Sequence, residues 1–218
     1  MRRGGCVPKN QELPLAEGSD VGAWRTPQGA DAAVHDALTN FPGSFELAKS
    51  AVANAARFRG ELLLELDVLI SKPAAASLAE LVEVFHGLGA RRFNLWMLAS
   101  EGRARKHGVE LLPRLPEAAE SVRRALAMAA RLGVDAVVRS YYIPYCFLPD
   151  HPETVWHPLE ENALVVTPTS TFRLEKGSLD LGKKTPACRG CLYEDKCFGV
   201  HPTYLSIYGD GEIKPVGK

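Results

Sequence analysis

The sequence predicts an α/β protein: a parallel sheet dressed with helices, followed by a cysteine-rich, metal-binding extension. Three observations carry this. Segments with the 3.6-residue period of helices alternate with short apolar runs through residue 139. One of those runs, Glu61–Ile70 (ELLLELDVLI), is almost continuously apolar, as expected of a strand covered on both faces. After Ser140 the alternation gives way to prolines, aromatics and thiols, with Cys188, Cys191 and Cys197 close together.

Taken in order, residues 1–30 hold five glycines and three prolines and show no period, so 1–20 reads as irregular and Val21–Trp24 as a short strand. Gly43–Phe58 reads as a helix with Ser44 as N-cap and Phe45, Ala48, Val52, Ala55 and Ala56 as its apolar stripe, stopped by Gly60. The strand Glu61–Ile70 ends at Lys72-Pro73. Ser77–Leu88 is a helix: Ser77 and Glu80 have capping-box spacing, Leu78, Leu81, Val82, Phe85 and Leu88 face inward, and Gly89 stops it. Arg92–Leu98 is the next strand, and a polar loop around Ser100-Glu101-Gly102-Arg103 follows. Pro116–Leu132 is an Ala- and Arg-rich helix closed by Gly133, and Val134–Arg139 a third strand. Such alternation implies βα units with right-handed crossovers. Ala163–Pro168 and Thr171–Glu175 have the composition of two short paired strands. The boundary near residue 140 separates an α/β body (21–140) from the extension (141–218).

The chain has 218 residues, 46% hydrophobic and 24% charged, with equal numbers of acidic and basic side chains. That suits a domain with its own core. The zero net charge shows no footprint of a nucleic-acid or anionic-membrane partner. No apolar run nears the roughly 20 residues of a membrane helix. The basic start, Met1-Arg2-Arg3, is not followed by the apolar stretch of a secretory signal, so the expected location is cytoplasmic. In that compartment clustered thiols are metal ligands more often than disulfides.

Cys188-x2-Cys191 can offer two sulfurs from one tight turn, and Cys197 follows after five residues. A fourth ligand comes from Cys146, in the Pro-bounded, aromatic loop Ile143-Pro144-Tyr145-Cys146-Phe147-Leu148-Pro149, or from His201. His151 and His157 flank that loop as further ligand candidates. Four such donors suit either an iron–sulfur cluster or a zinc ion, and ligand chemistry alone leaves the two open. His35-Asp36 has the makings of an acid–base pair. His86, beside Phe85 on its helix, and His107 read as histidines without chemistry. Arg103–Lys106 is a short basic run on a solvated loop. No Gly-x-Ser-x-Gly, phosphate loop or dinucleotide fingerprint is present.

The stretch Cys188-x2-Cys191-x5-Cys197-x-Gly199-Val200-x3-Tyr204-Leu205-x2-Tyr208-Gly209-x2-Glu212-x2-Pro215 resembles the C-terminal, SPASM/twitch-like signature of radical S-adenosylmethionine (radical SAM) proteins. In that family such cysteines hold an auxiliary [4Fe–4S] cluster, and a fourth cysteine often follows where His201 stands here. The resemblance therefore implies a [4Fe–4S] cluster on Cys146, Cys188, Cys191 and Cys197, with zinc as the alternative. His35-Asp36 through Pro42-Gly43-Ser44-Phe45-Glu46 is similar to the turn before the third helix of the family's partial (β/α) TIM-like barrel. Leu63–Pro73, Leu78–Gly89 and Arg92–Trp96 are similar to its fourth strand, fourth helix and fifth strand. The likeness spans about residues 20–216. In such a barrel Ser71, Asn94 and the Ser100-Glu101 loop lie at strand ends, as remnants of a cofactor pocket, although Ala74 stands where the family often has asparagine.

The family's C-x3-C-x2-C loop has no counterpart, and Cys6 is the only thiol before residue 146. The resemblance thus implies a barrel incomplete at its N-terminus, truncated or degenerate, that does not cleave S-adenosylmethionine alone. It would use that cofactor only if the N-terminal half were supplied. Its substrate is unknown. A barrel cut after its second strand leaves a strand edge open to self-association or a partner. The competing reading is a zinc-stabilised, non-catalytic binding or scaffold module.

Overall fold

The structure is a computed structural model, and it describes residues 21–58, 62–100, 102–133, 138–156, 164–173 and 182–217. The expectations for residues 1–20, Cys6, Gly60, Glu101 and His157 lie outside the described residues.

The chain is a mixed α/β protein built on a parallel sheet. Strands β1 (Val21–Arg25), β2 (Leu62–Ile70), β3 (Arg92–Met97), β4 (Val138–Tyr141) and β5 (Val155–Trp156) lie side by side in sequence order, every pair parallel. Helices α1 (Ala32–Thr39) and α2 (Ser44–Ala55) connect β1 to β2; α3 (Lys72–Ala75) and α4 (Leu78–Gly87) connect β2 to β3; α5 (Gly108–Leu111) and α6 (Leu115–Arg131) connect β3 to β4. A separate antiparallel pair, β6 (Leu164–Val166) with β7 (Thr171–Arg173), matches the expected hairpin. The last helix, α7 (Pro202–Tyr208), follows the cysteine segment.

The two-residue side-chain period of β2 divides its faces. Leu64, Leu66, Val68 and Ile70 are buried in the core with Phe93, Leu95 and Met97 of β3, and with Val52, Leu81, Val82, Phe85, Ala118 and Val122 of the helices. Each Val, Leu, Ile, Phe or Met side chain among these contributes about 1.5–3 kcal/mol on full burial. The alternate positions of the strands carry polar and aromatic groups. Asn94 Nδ2 donates to Asp67 Oδ1 at 2.8 Å and to Glu65 Oε1 at 2.5 Å. Trp96 Nε1 donates to Asp67 Oδ1 at 3.1 Å, and its ring stacks on Tyr141 at 3.8 Å.

Several local expectations are corrected. The stretch around His35 is a helix, α1, closed by Asn40 in the left-handed region (φ 52°). The N-cap of α2 is Gly43 rather than Ser44, because the Asp36 carboxylate does the capping: it accepts from Gly43 N (2.6 Å), Phe45 N (2.8 Å) and Ser44 Oγ (2.9 Å). Those bonds, led by the one from Gly43, hold Asp36 below the ordinary carboxylate range. His35 Nδ1 accepts from Gln28 N at 3.0 Å, and burial pushes its pKa down. Both side chains are thus engaged in holding the α1–α2 turn. Ser77 forms no capping box; its hydroxyl turns back to Ala74 O at 3.4 Å, since α3 occupies the preceding turn.

Residues beyond 140 share the core of the body. Ile143, Phe147, Leu148, Val200, Tyr204 and Ile213 belong to the same buried cluster as the helices. Among the described residues no helix is long and apolar enough to cross a membrane.

Candidate metal centre

Cys146 sits in a single 3-10 turn, Tyr145–Phe147, launched by Pro144. The turn cannot drift, because Ile143 and Leu148 on either side are 2% and 0% exposed. Arg123 of α6 fastens it from outside, donating to Phe147 O at 2.7 Å and gripping Asp150 with two nitrogens at 2.7 and 2.9 Å. That two-pronged contact holds Asp150 down to about 2.

The other three thiols come from a chain of tight turns. Cys188 closes the 3-10 turn Pro186–Cys188, and Cys191 N donates back to Cys188 O at 3.2 Å. Gly190 between them takes φ 73°, and its N–H donates to the Glu194 carboxylate at 2.8 Å. Cys197 N donates to Tyr193 O at 2.8 Å. Gly199 then passes hard against Lys183: a Cβ on it would stand 2.2 Å from Lys183 O, and its φ is 84°. The bridge between Lys183 and Val200 fixes that crossing.

These turns and the Cys146 loop meet. Tyr145 stacks on Tyr193 with ring centres 4.6 Å apart and planes 10° from parallel. Cys146, Cys188, Cys191 and Cys197 all line one cavity, whose other walls include Pro144, Val200, Ile213 and Pro215. None of the four is in a disulfide. Burial, with the neighbouring Cys197, Cys191 and Cys188, pushes the Cys146 thiol up to about 12. Burial likewise raises Cys197, against the N–H groups of Gly199 and Tyr145, which stabilise its thiolate; Gly199 N lies 3.3 Å from the sulfur. Among the described residues no three Cys, His, Asp or Glu side chains are gathered tightly enough to chelate one ion. The donor set is nonetheless all-sulfur in an apolar surround, the chemistry that thiolate-bound iron and zinc require.

The structure brings Cys146, not a histidine, to the wall with the three clustered thiols. His201 lies on a different cavity, its Nδ1 accepting from Thr203 N at 3.3 Å. His151 pairs with Glu153 and Asp150 on the surface, and His107 with Glu110. Ser71 and Asn94 are buried at the sheet, each with a polar oxygen lacking a partner among the described residues. Ser100 belongs to the cavity of His201, with Arg105, Thr203 and Ser206. Sequence reading placed the Ser100 loop at a pocket but grouped it with Ser71 and Asn94, which do not line this cavity, and missed Arg105, Thr203 and Ser206, because the walls come from segments about 100 residues apart. Comparison with protein-family models, curated proteins and solved structures returns no match to this chain.

Proposed function

We propose that this chain is an iron–sulfur protein of the radical SAM type, with a [4Fe–4S] cluster held by Cys146, Cys188, Cys191 and Cys197. The observation that carries the reading is the convergence of one distant thiol and three clustered thiols on a single apolar cavity. A cluster bound there supplies one-electron chemistry. The chain's own residues supply the cage. Pro144 and Gly199 set the backbone turns, Tyr145 and Tyr193 close one side, and Gly199 and Tyr145 N–H groups support the Cys197 thiolate. We assign no cleavage of S-adenosylmethionine to these residues alone, since the sequence holds no C-x3-C-x2-C spacing.

The sheet supports the same reading. Five parallel strands in sequence order, the first four joined by α-helices, fit the pattern of a (β/α) barrel segment, here a partial one. Strand β1 ends the order, and we propose that its edge pairs with a second copy or a partner. Free thiols of this density suit a cytoplasmic setting.

The second reading, a zinc-stabilised scaffold, is favoured by one feature: the cavity ties the Cys146 loop to the tail, which is what a structural zinc site does. Anaerobic purification with metal analysis and visible spectroscopy separates the two. Iron with acid-labile sulfide and a brown chromophore supports the cluster; colourless protein with one zinc per chain supports the scaffold; neither metal after reconstitution ends both.

A further inference from the structure

A second cavity, of about 470 Å³, opens between the loop after β3 and α7, lined by Ser100, Arg105, His201, Thr203 and Ser206. Its size falls within the range of small-molecule sites. It lies beyond the C-terminal end of β3, where ligands of open α/β sheets bind. Its two walls are locked together at Gly108, where a Cβ would stand 2.8 Å from Ile207 Cδ1 and 3.1 Å from Ser100 Oγ.

The chemistry of the walls is selective. Arg105 is exposed and has no carboxylate partner among the described residues. Its guanidinium offers a fork of donors matched to a planar or tetrahedral oxyanion. The serines are different. Ser100 Oγ donates to Ala104 O at 3.1 Å and Ser206 Oγ donates to Thr203 O at 2.8 Å. Each hydroxyl has one hydrogen, so both are committed and only lone pairs remain. On the α7 side, Pro202 has no N–H, and that of Thr203 is taken by His201. The cavity therefore presents a cationic fork of donors on Arg105 and hydroxyl lone pairs on Ser100 and Ser206, beside the ring of His201, whose Nδ1 is engaged with Thr203.

We propose that this cavity binds a small polyhydroxylated anion: an oxyanion head, phosphate or carboxylate, on Arg105, and a body whose own hydroxyls donate to Ser100 and Ser206. The site stands on residues outside the thiol cavity and does not depend on which metal that cavity holds.

Calorimetric titration of the full chain tests it, with ribose 5-phosphate, gluconate, ribose and inorganic phosphate as probes. Saturable binding of ribose 5-phosphate or gluconate at one per chain is expected, and the tighter of the two identifies the head. Ribose, lacking the anion, binds at least tenfold more weakly. Arg105→Ala weakens the anion about tenfold or more, the loss of a charged hydrogen bond. Lys106→Ala, in the same basic run but off the cavity wall, stays within about twofold. Because both side chains are exposed, both variants keep the fold, which circular dichroism checks. The proposal is overturned if neither polyol anion binds saturably, if Arg105→Ala binds like wild type, or if inorganic phosphate binds as tightly as ribose 5-phosphate.

Discussion

The hydroxyl of Tyr204 accepts the backbone N–H of Leu115 at 3.0 Å and donates to the Glu212 carboxylate. One phenol thus joins the first turn of α6 to the C-terminal tail. Glu212 completes the junction with Arg114 Nε at 2.7 Å, and the Arg114 guanidinium lies over the Tyr208 ring at 4.8 Å. Tyr208 adds its own bond to Leu112 O at 2.7 Å. The tail that follows the thiols is clamped to the body through these contacts, so the clamp fixes the position of α7 and of Ile213 and Pro215 on the cavity wall. Tyr204→Phe leaves the buried N–H of Leu115 without its acceptor. The expected cost is about 1–3 kcal/mol, read as a lower denaturant midpoint with an unchanged slope.

Gly199 is held by two independent constraints, its φ of 84° and the closeness of Lys183 O, which would stand 2.2 Å from an added Cβ. Any side chain there must push the Lys183 strand away, and the obstacle is backbone. Gly199→Ala is therefore expected to destabilise the chain by more than about 1 kcal/mol and to move Cys197, whose sulfur accepts from Gly199 N. Gly209→Ala is the contrast: its φ is 70°, yet no atom lies within 4 Å of the added Cβ, so backbone strain is its only cost. Equal thermal shifts in the two variants would contradict the close packing at Lys183.

The Arg123–Asp150 contact makes the Cys146 loop sensitive to acid. The pKa of Asp150 is lowered in the folded chain to about 2. A depressed carboxylate contributes stability that is complete above its unfolded value, near 4, and that drains away as pH falls through the folded one. The loop should then loosen between about pH 4 and pH 2, whereas Asp150→Asn, which lacks the charge at every pH, is already looser at neutral pH and shows no such change over this window. Limited acid proteolysis around residues 145–150 reads this directly. Identical pH profiles for the two proteins would rule the contact out as the cause.

Much of this architecture was legible in the residues. The stripe residues Phe45 and Val52 and the alternate residues Leu64, Leu66, Val68 and Ile70 became core, but the strand is not buried on both faces as its apolar run suggested: Glu65, Asp67 and Leu69 on the other face are only half-buried. The sequence pairing of Cys146 with the distant thiols agrees with the structure as far as the shared cavity wall: its Pro-flanked, aromatic loop forms a fixed turn that lines the same cavity as Cys188, Cys191 and Cys197. The capping at Ser44 and Ser77 was not. A side-chain cap competes with longer-range acceptors and donors, and here Asp36, eight residues before Ser44, won. The cavity of Arg105 escaped for a related reason. A basic run on a loop has the composition of a solvated face, and only the fold shows that α7 stands opposite it.

Which residue would complete the proposed metal site, Cys146 or His201, can be tested without knowing the substrate. Cys146 lines the cavity with the clustered thiols, whereas His201 faces the other one and spends Nδ1 on Thr203. Cys146→Ser should lower the iron and sulfide retained after anaerobic reconstitution several-fold, as loss of one of four thiolates does for a cluster held at each corner. His201→Gln should retain both at the wild-type level. The same pair settles the zinc reading, since a four-sulfur zinc site responds alike while giving no visible chromophore. The opposite pattern, with His201→Gln losing metal and Cys146→Ser keeping it, would show that the donors are those of the sequence run 188–201 and that the loop after β4 plays no part.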